Sequence, residues 1–222
     1  AYWGGYFFYH NRLHRNYQDD ISLHYYLLAS KDGITIGKRY FKHENNKEDY
    51  PFSPSGHNLY DNNSKLYYCR DFDNIVYQIH EDSVVPRFRI NLPNPLPASM
   101  IEERPNEMSL LRSGYSLGIT DIYEYGGLLF FRFVKDGYIW SCLYNVEESK
   151  QVYCAKRIKF LDSSLIDTID GIYKDCFYSI LTPEYLDYAF SENPLEDYPD
   201  LFKTYDVEGD NPVIAFYRAV VR

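Results

Sequence analysis

Apolar and aromatic residues in this chain come in short runs, each closed by a corner rich in Asp, Asn, Gly or Pro. YFFYH (Tyr6–His10) and SLHYYLLAS (Ser22–Ser30) are the first two. After the turn signal Lys31-Asp32-Gly33, ITIGKRYF (Ile34–Phe41) resumes the alternation, which predicts a hairpin. A polar, proline-bearing loop follows from His43 to Asn58. Then come KLYYC, the corner Asp71-Phe72-Asp73-Asn74, IVYQIHE, and VVPRFRINL (Val84–Leu92). Three runs separated by a few residues each predict a β-meander.

The segment from Pro93 to Gly114 breaks this pattern. Pro93, Pro95, Pro97 and Pro105 forbid continuous sheet, and Ser99–Arg104 fits a short helical turn. Strands resume at SLGITDIYEY (Ser116–Tyr125), followed by GLLFFRFV and YIWSCLYNV on either side of Lys135-Asp136-Gly137. QVYCAKRIKFL (Gln151–Leu161) reads as one further strand and GIYKDCFYSIL (Gly171–Leu181) as a hairpin. Residues 183–206 mix prolines with a period nearer 3.6, which predicts one or two short helices. NPVIAFYRAVV (Asn211–Val221) closes the chain as a strand.

One element recurs. Tyr6-Phe7-Phe8-Tyr9, Leu66-Tyr67-Tyr68-Cys69, Leu129-Phe130-Phe131-Arg132 and Cys176-Phe177-Tyr178-Ser179 are spaced by 60, 63 and 47 residues, each followed by a polar corner and another strand. Successive strand side chains point to opposite faces, so an aromatic pair loads both faces of a small sheet. Such a sheet cannot bury both faces alone, but it can when stacked between neighbours, as in a propeller. An antiparallel sandwich is the rival architecture for the same pattern. Asp71, Asp73 and Asn74 suit the corner because short polar side chains hydrogen-bond local backbone and tolerate left-handed geometry.

Composition sharpens this reading. The chain has 25 Tyr and 14 Phe among 222 residues, a bias towards sheet. Its net charge is −9, with 23 Lys and Arg against 32 Asp and Glu and no dense basic run, which argues against a nucleic-acid partner. No apolar run approaches the roughly 18–20 residues needed to span a bilayer. The start, AYWGGYFFYHN, lacks the features of a signal peptide. Cys69, Cys142, Cys154 and Cys176 are far apart without a CxxC pair, so local zinc ligation is disfavoured. Buried thiols are the preferred reading, with a disulfide the alternative.

Candidate chemistry is sparse. His10, His14 and His24 lie close in sequence but in a strand-and-loop context without motif-spaced acidic ligands, so ordinary hydrogen-bonded histidines are preferred over a metal site. Asp19-Asp20, Glu102-Glu103 and Glu147-Glu148 fall in turns or loops and read as solvated surface. Asp71–Asn74 lacks the ordered oxygen spacing of a calcium loop. Trp3 and Trp140 are sugar-stacking candidates, with packed aromatics the simpler reading. No nucleophile elbow, dinucleotide fingerprint or phosphate loop is present. We therefore expect no catalytic residue, cofactor or metal.

With these motifs in place, the chain resembles the NHL-like six-bladed β-propeller proteins of Bacteroides-type bacteria, a group that includes lipoproteins of unknown function. The likeness rests on LYYCRDFDNIVYQIHEDSVVPRFRINLPNPLP (Leu66–Pro97), the pattern from Ile119 to Tyr144, and DNPVIAFYRAV (Asp210–Val220). It implies an all-β fold of antiparallel meander blades over 1–222 as a single propeller domain, with about four blades present as a partial or open ring. It further implies that the chain corresponds to the C-terminal portion of a six-bladed propeller, with more blades on its N-terminal side. An open ring would leave aromatic blade faces and strand edges uncovered, to be met by self-association or by the missing part of a longer protein. The implied function is a non-enzymatic scaffold for a protein or small-molecule ligand, periplasmic or anchored to the outer membrane. A lyase or hydrolase using polar residues of the central channel is the alternative, and a carbohydrate-binding module a weaker one.

Overall fold

The computed structural model describes residues 1–11, 25–42, 57–103, 105–156, 158–160, 163–166, 169–192, 204–206, 208–209 and 211–218. His14, Asp19, Asp20, His24, Arg104, most of the polar loop before Asn58 and the final residues of the closing strand lie outside them.

The elements in chain order are β1 (Tyr2–Trp3), β2 (Tyr6–His10), β3 (Tyr25–Ser30), β4 (Ile36–Lys42), β5 (Leu59–Asn62), β6 (Lys65–Cys69), β7 (Ile75–Ile79) and β8 (Val84–Arg89). Two short helices follow, α1 (Ala98–Glu102) and α2 (Glu107–Leu111). Next come β9 (Ser116–Tyr125), β10 (Leu128–Lys135), β11 (Tyr138–Asn145), β12 (Lys150–Ala155), β13 (Ile158–Phe160) and β14 (Ser163–Ile166). The last elements are β15 (Gly171–Tyr173), β16 (Cys176–Leu181), α3 (Pro183–Glu192) and β17 (Val213–Tyr217).

Three sheets are four-stranded with strands in chain order, β1 to β4, β5 to β8 and β9 to β12. A three-stranded sheet runs β15-β16-β17, and β13 pairs with β14. The four recurring aromatic cores therefore fall on β2, β6, β10 and β16, the second strand of each of the four larger sheets. Tight turns join consecutive strands. Gly4-Gly5, Gly126-Gly127 and Asp136-Gly137 all have positive φ, the geometry that matches strand twist in two-residue hairpins.

The chain divides into two compact units, Ala1–Ile122 with Phe133–Tyr138, and Tyr123–Arg132 with Ile139–Arg222. In the first unit, Tyr6, Phe8, Leu27 and Ala29 of the first sheet pack against Leu66, Tyr68, Tyr77 and Ile79 of the second. Tyr67 points the other way, where Phe88 meets its ring edge-on. Both Tyr67 and Tyr68 are fully buried, so the second sheet is covered on both faces. A smaller cluster of Leu110, Leu117 and Val134 takes in Phe72 and Leu96. In the second unit, Tyr123, Leu128 and Phe130 pack with Ile169, Ile172 and Phe177. The apolar side of α3, including Leu186 and Ala189, covers Leu181 of β16.

Several features depart from the sequence reading. Asn106 caps α2, its side chain accepting from the Ser109 amide, so the proline-rich segment holds two helices where one turn was expected. β5 emerges from LYDN, whose polar residues are accommodated because Asn62 donates to the carbonyls of Tyr60 (3.2 Å) and Ile122 (3.0 Å). β1 is a two-residue strand that pairs with β2 across the Gly4-Gly5 turn. Gln151–Leu161 is not one strand: β12 pairs with β11, and β13 turns away to pair with β14. Finally, Cys142 and Cys154 are direct cross-strand partners, 4.1 Å apart at Cα, and form a disulfide rather than buried thiols. Cys69 and Cys176 are free.

One face of the first sheet is partly exposed. On β2 the alternation is strict: Tyr6 and Phe8 are buried, while Phe7 and Tyr9 are each 39% exposed on the reverse side. Truncating neighbours on this one strand should therefore give different costs. In this chain Phe8→Ala should lose roughly 3–5 kcal/mol of unfolding free energy, against about 1 kcal/mol or less for Phe7→Ala, measured by urea denaturation.

Candidate functional site

The corner Asp71–Asn74 between β6 and β7 is the centre of a dense polar network among the described residues of the first unit. Asp73 organises it. Its Oδ1 accepts the backbone amides of Asn74 (2.7 Å) and Ile75 (3.1 Å), while Oδ2 receives Arg70 through Nε (2.9 Å) and Nη2 (2.6 Å). One carboxylate thus fixes the turn and clamps a guanidinium at once, which suits the planar fork of Arg. The Arg70 guanidinium lies 5.4 Å from the Phe41 ring centre and 5.9 Å from those of Tyr26 and Tyr77, so its charge is cushioned by aromatic faces.

Asp71 faces the other way. Its Oδ1 accepts from the side-chain amide of Asn58 (3.0 Å), which also donates to the Cys69 carbonyl (3.0 Å). Its Oδ2 lies 3.8 Å from Nε2 of His10 at the end of β2. The other ring nitrogen of His10, Nδ1, lies 3.0 Å from the Tyr68 hydroxyl. Nε2 is buried and makes no hydrogen bond among the described residues. Burial pushes the Tyr68 phenol well above its ordinary range and does the same to the Cys69 thiol.

The neighbouring residue extends the line. His57, about half exposed, has Nε2 4.0 Å from Oδ1 of the buried Asp121 on β9. The Tyr60 hydroxyl donates to the His57 carbonyl (2.6 Å), and the Thr120 hydroxyl, 3.2 Å from it, donates to Asp121 Oδ2 (3.0 Å). A continuous polar line therefore runs from His10 through Tyr68, Asp71 and Asn58 to His57 and Asp121, taking one or more groups from each of three consecutive sheets.

Left-handed backbone occurs at three positions here. Phe41, Phe72 and Asp121 all have positive φ, at 57°, 60° and 53°. A left-handed phenylalanine costs of order 1–3 kcal/mol and persists only where packing enforces it. At Phe72 the enforcing contact is visible. Gly118 on β9, itself at φ 106°, passes so close that a Cβ there would lie 2.9 Å from the Phe72 backbone. Only glycine lets β9 seat against the corner.

The sequence candidates distribute unevenly around this line. His10 and Asp71–Asn74 are brought together, whereas Glu103, Glu147 and Glu148 are exposed elsewhere. Trp3 packs against the aromatic core of the first two sheets. Trp140 is half-buried with the Lys156 ammonium 5.8 Å from its ring. Among the described residues no group of three His, Cys, Asp or Glu is arranged to hold a metal. Sequence reasoning missed His57, Asn58 and Asp121. For Asp121 the available signal was a lone acidic residue after Thr in a buried strand.

Four-stranded antiparallel meanders, each carrying its aromatic load on the second strand, define these sheets as propeller blades. A family model described as a six-bladed β-propeller matches residues 2–164, and the chain belongs to that family. It is also similar to a crystal structure of a Bacteroides fragilis NCTC 9343 protein assigned as exported. That likeness has a TM-score of 0.70 at 16% identity over 95% of this chain, which spans 62% of the other's length. Comparison with curated proteins finds no match.

Two outcomes test the network. Asp73→Asn keeps the shape but removes the charge facing Arg70, and should cost roughly 2–3 kcal/mol of unfolding free energy. The Tyr68 phenol, raised by burial, favours the neutral form in the folded state, so its stabilisation is complete below about pH 10 and declines above it. Chemical denaturation between pH 8 and 11 should show stability falling above pH 10, with a shallower fall in Tyr68→Phe.

Proposed function

We propose that this protein is a non-enzymatic binding scaffold, the propeller portion of an exported or lipid-anchored bacterial protein, and that the polar line ending at His57 receives its ligand. The carrying observation is how the charges along that line are used. Asp73 is spent on Arg70 and two backbone amides, and Asp71 accepts from Asn58 with His10 3.8 Å away. Such groups hold a shape more readily than they trade protons. His57 stands at the accessible end, its side chain 54% exposed and steered by Asp121. A half-exposed imidazole beside a hydrogen-bonded corner is a fit anchor for a polar group of a small molecule or protein loop.

Export is supported by two independent facts. The Cys142–Cys154 disulfide suits an oxidising compartment. The similar Bacteroides fragilis protein is itself assigned as exported. A lipid anchor or a periplasmic location is the reading we adopt; among the described residues no helix is long and apolar enough to cross a membrane.

One observation favours a second reading, an NHL-like lyase or hydrolase. His10 sits between a phenol and a carboxylate, the arrangement of a general base with an orienting partner. Against it, Nε2 is sealed from solvent, where no substrate atom can reach it without movement.

Thermal shift against a defined panel of mono- and oligosaccharides, amino acids, nucleotides and divalent cations separates the two. A true ligand at 100 times its Kd stabilises by about 2.7 kcal/mol, or roughly 5–10 °C in Tm for a chain of this size. We expect such a shift in the wild type, its loss in His57→Ala, and its retention in His10→Ala. Turnover of a chromogenic glycan or ester that His10→Ala abolishes would replace the scaffold reading with the enzymatic one.

A further inference from the structure

Cys142 on β11 and Cys154 on β12 face each other across the ladder and are joined by a disulfide, 12 residues apart in sequence. The bond closes a hairpin whose strands are already paired and already joined by their own turn. A cross-link constrains the unfolded chain less as its loop shortens, so this one does little to hold distant parts of the fold together. What it holds is the outer strand. β12 pairs on one side only, since the chain leaves this sheet after Ala155 and β13 pairs with β14 instead. The ladder is irregular between Leu143 and Tyr144, and Lys150, Gln151 and Val152 are exposed. Tyr153, opposite Leu143, packs with it against the cluster that contains Tyr123, Phe130 and Phe177. A strand with one neighbour, an irregular ladder and few buried side chains belongs to the low-stability end of a fold.

We propose that the Cys142–Cys154 bond is a redox latch on β12, opened by a dithiol reductant and closed again on oxidation. The two sulfurs differ in access: Cys142 is 3% exposed, while Cys154 is half-buried on the outermost strand. An incoming thiolate therefore attacks Sγ of Cys154. The S–S bond breaks, a mixed disulfide forms at Cys154, and Cys142 leaves as a thiolate that takes up a proton. The second thiolate of the reductant then attacks its own partner sulfur in the mixed disulfide and releases Cys154, which is protonated in turn. Two electrons and two protons pass from the dithiol, which becomes a disulfide, to the protein, which gains two thiols. With the latch open, β12 separates from β11, Tyr153 leaves its cluster, and β11 presents an unpaired ladder edge. The remaining sheets share no strand with this hairpin's outer half and keep their structure. The latch does not involve the polar line of the first unit, so it stands or falls independently of the ligand reading.

The test is reduction of the oxidised protein by dithiothreitol without denaturant, with thiol alkylation and hydrogen exchange both read peptide by peptide by mass spectrometry. Cys142 and Cys154 should become alkylated together while circular dichroism stays unchanged. Amides of β12 should then exchange about tenfold faster or more than in the oxidised protein, and those of β6 and β9 at unchanged rates. Reoxidation with oxidised glutathione should restore the protection. The double variant Cys142→Ser with Cys154→Ser should match the reduced protein, and Cys176→Ser, which removes the half-buried free thiol, should behave as wild type. Cysteines that resist dithiothreitol until the chain unfolds overturn the proposal, since the bond is then a structural cross-link. So does unchanged exchange of β12 after reduction, which shows that pairing alone holds the strand. Loss of protection in every sheet overturns it as well, by making the bond a brace for the whole fold.

Discussion

A small sheet with aromatic residues on both faces cannot be stable alone, and most of this structure follows from that constraint. Each blade strand alternates its side chains, so a second strand such as Leu66–Cys69 loads Leu66 and Tyr68 on one side and Tyr67 on the other. Burying only one of those faces would leave the other as a liability. Stacking resolves it: Tyr68 is covered by the first sheet, and Tyr67 by Phe88 and the interior beyond. Each fully buried aromatic of this kind withdraws on the order of 150–250 Å² from water. Stacking is thereby the dominant stabilising term, and the hydrogen-bonded corners act mainly to set the register in which it occurs.

The polar line is a by-product of that stacking. Bringing β9 against the second sheet requires Gly118 to pass within contact distance of Phe72, and the same approach seats Asp121 beside His57. The corner that looked like a mere turn is therefore a joint. It is held by Asp73 and Arg70 on one side and by Asn58 and Asp71 on the other. Buried, satisfied networks of this sort rigidify what they connect.

Much of the architecture was legible in the residues, for a physical reason. The aromatic pairs at Tyr6–Tyr9, Leu66–Cys69, Leu129–Arg132 and Cys176–Ser179 recur because each blade must fill two faces, and a repeated burden leaves a repeated pattern. Asp136-Gly137 declared its turn because few residues adopt its dihedral angles. What stayed hidden depended on partners distant in sequence. LYDN does not look like a strand until Ile122 accepts from Asn62. Cys142 and Cys154 cannot be paired by spacing, only by the β11–β12 register. The site was the least legible part. His10 could be suspected, but its meeting with Asp71, 61 positions further on, is a property of stacked sheets and not of any local motif.

Native-state hydrogen exchange read by mass spectrometry tests the stacking account most directly. If face-to-face burial of the second strands holds the fold together, the amides of β6 and β10 should be the slowest in the protein. They should exchange only through global opening, at rates that follow denaturant-measured stability, while β1, β12 and the edges open locally and much faster. Uniformly fast exchange across β6 and β10, or protection no greater there than in the edge strands, would contradict the account.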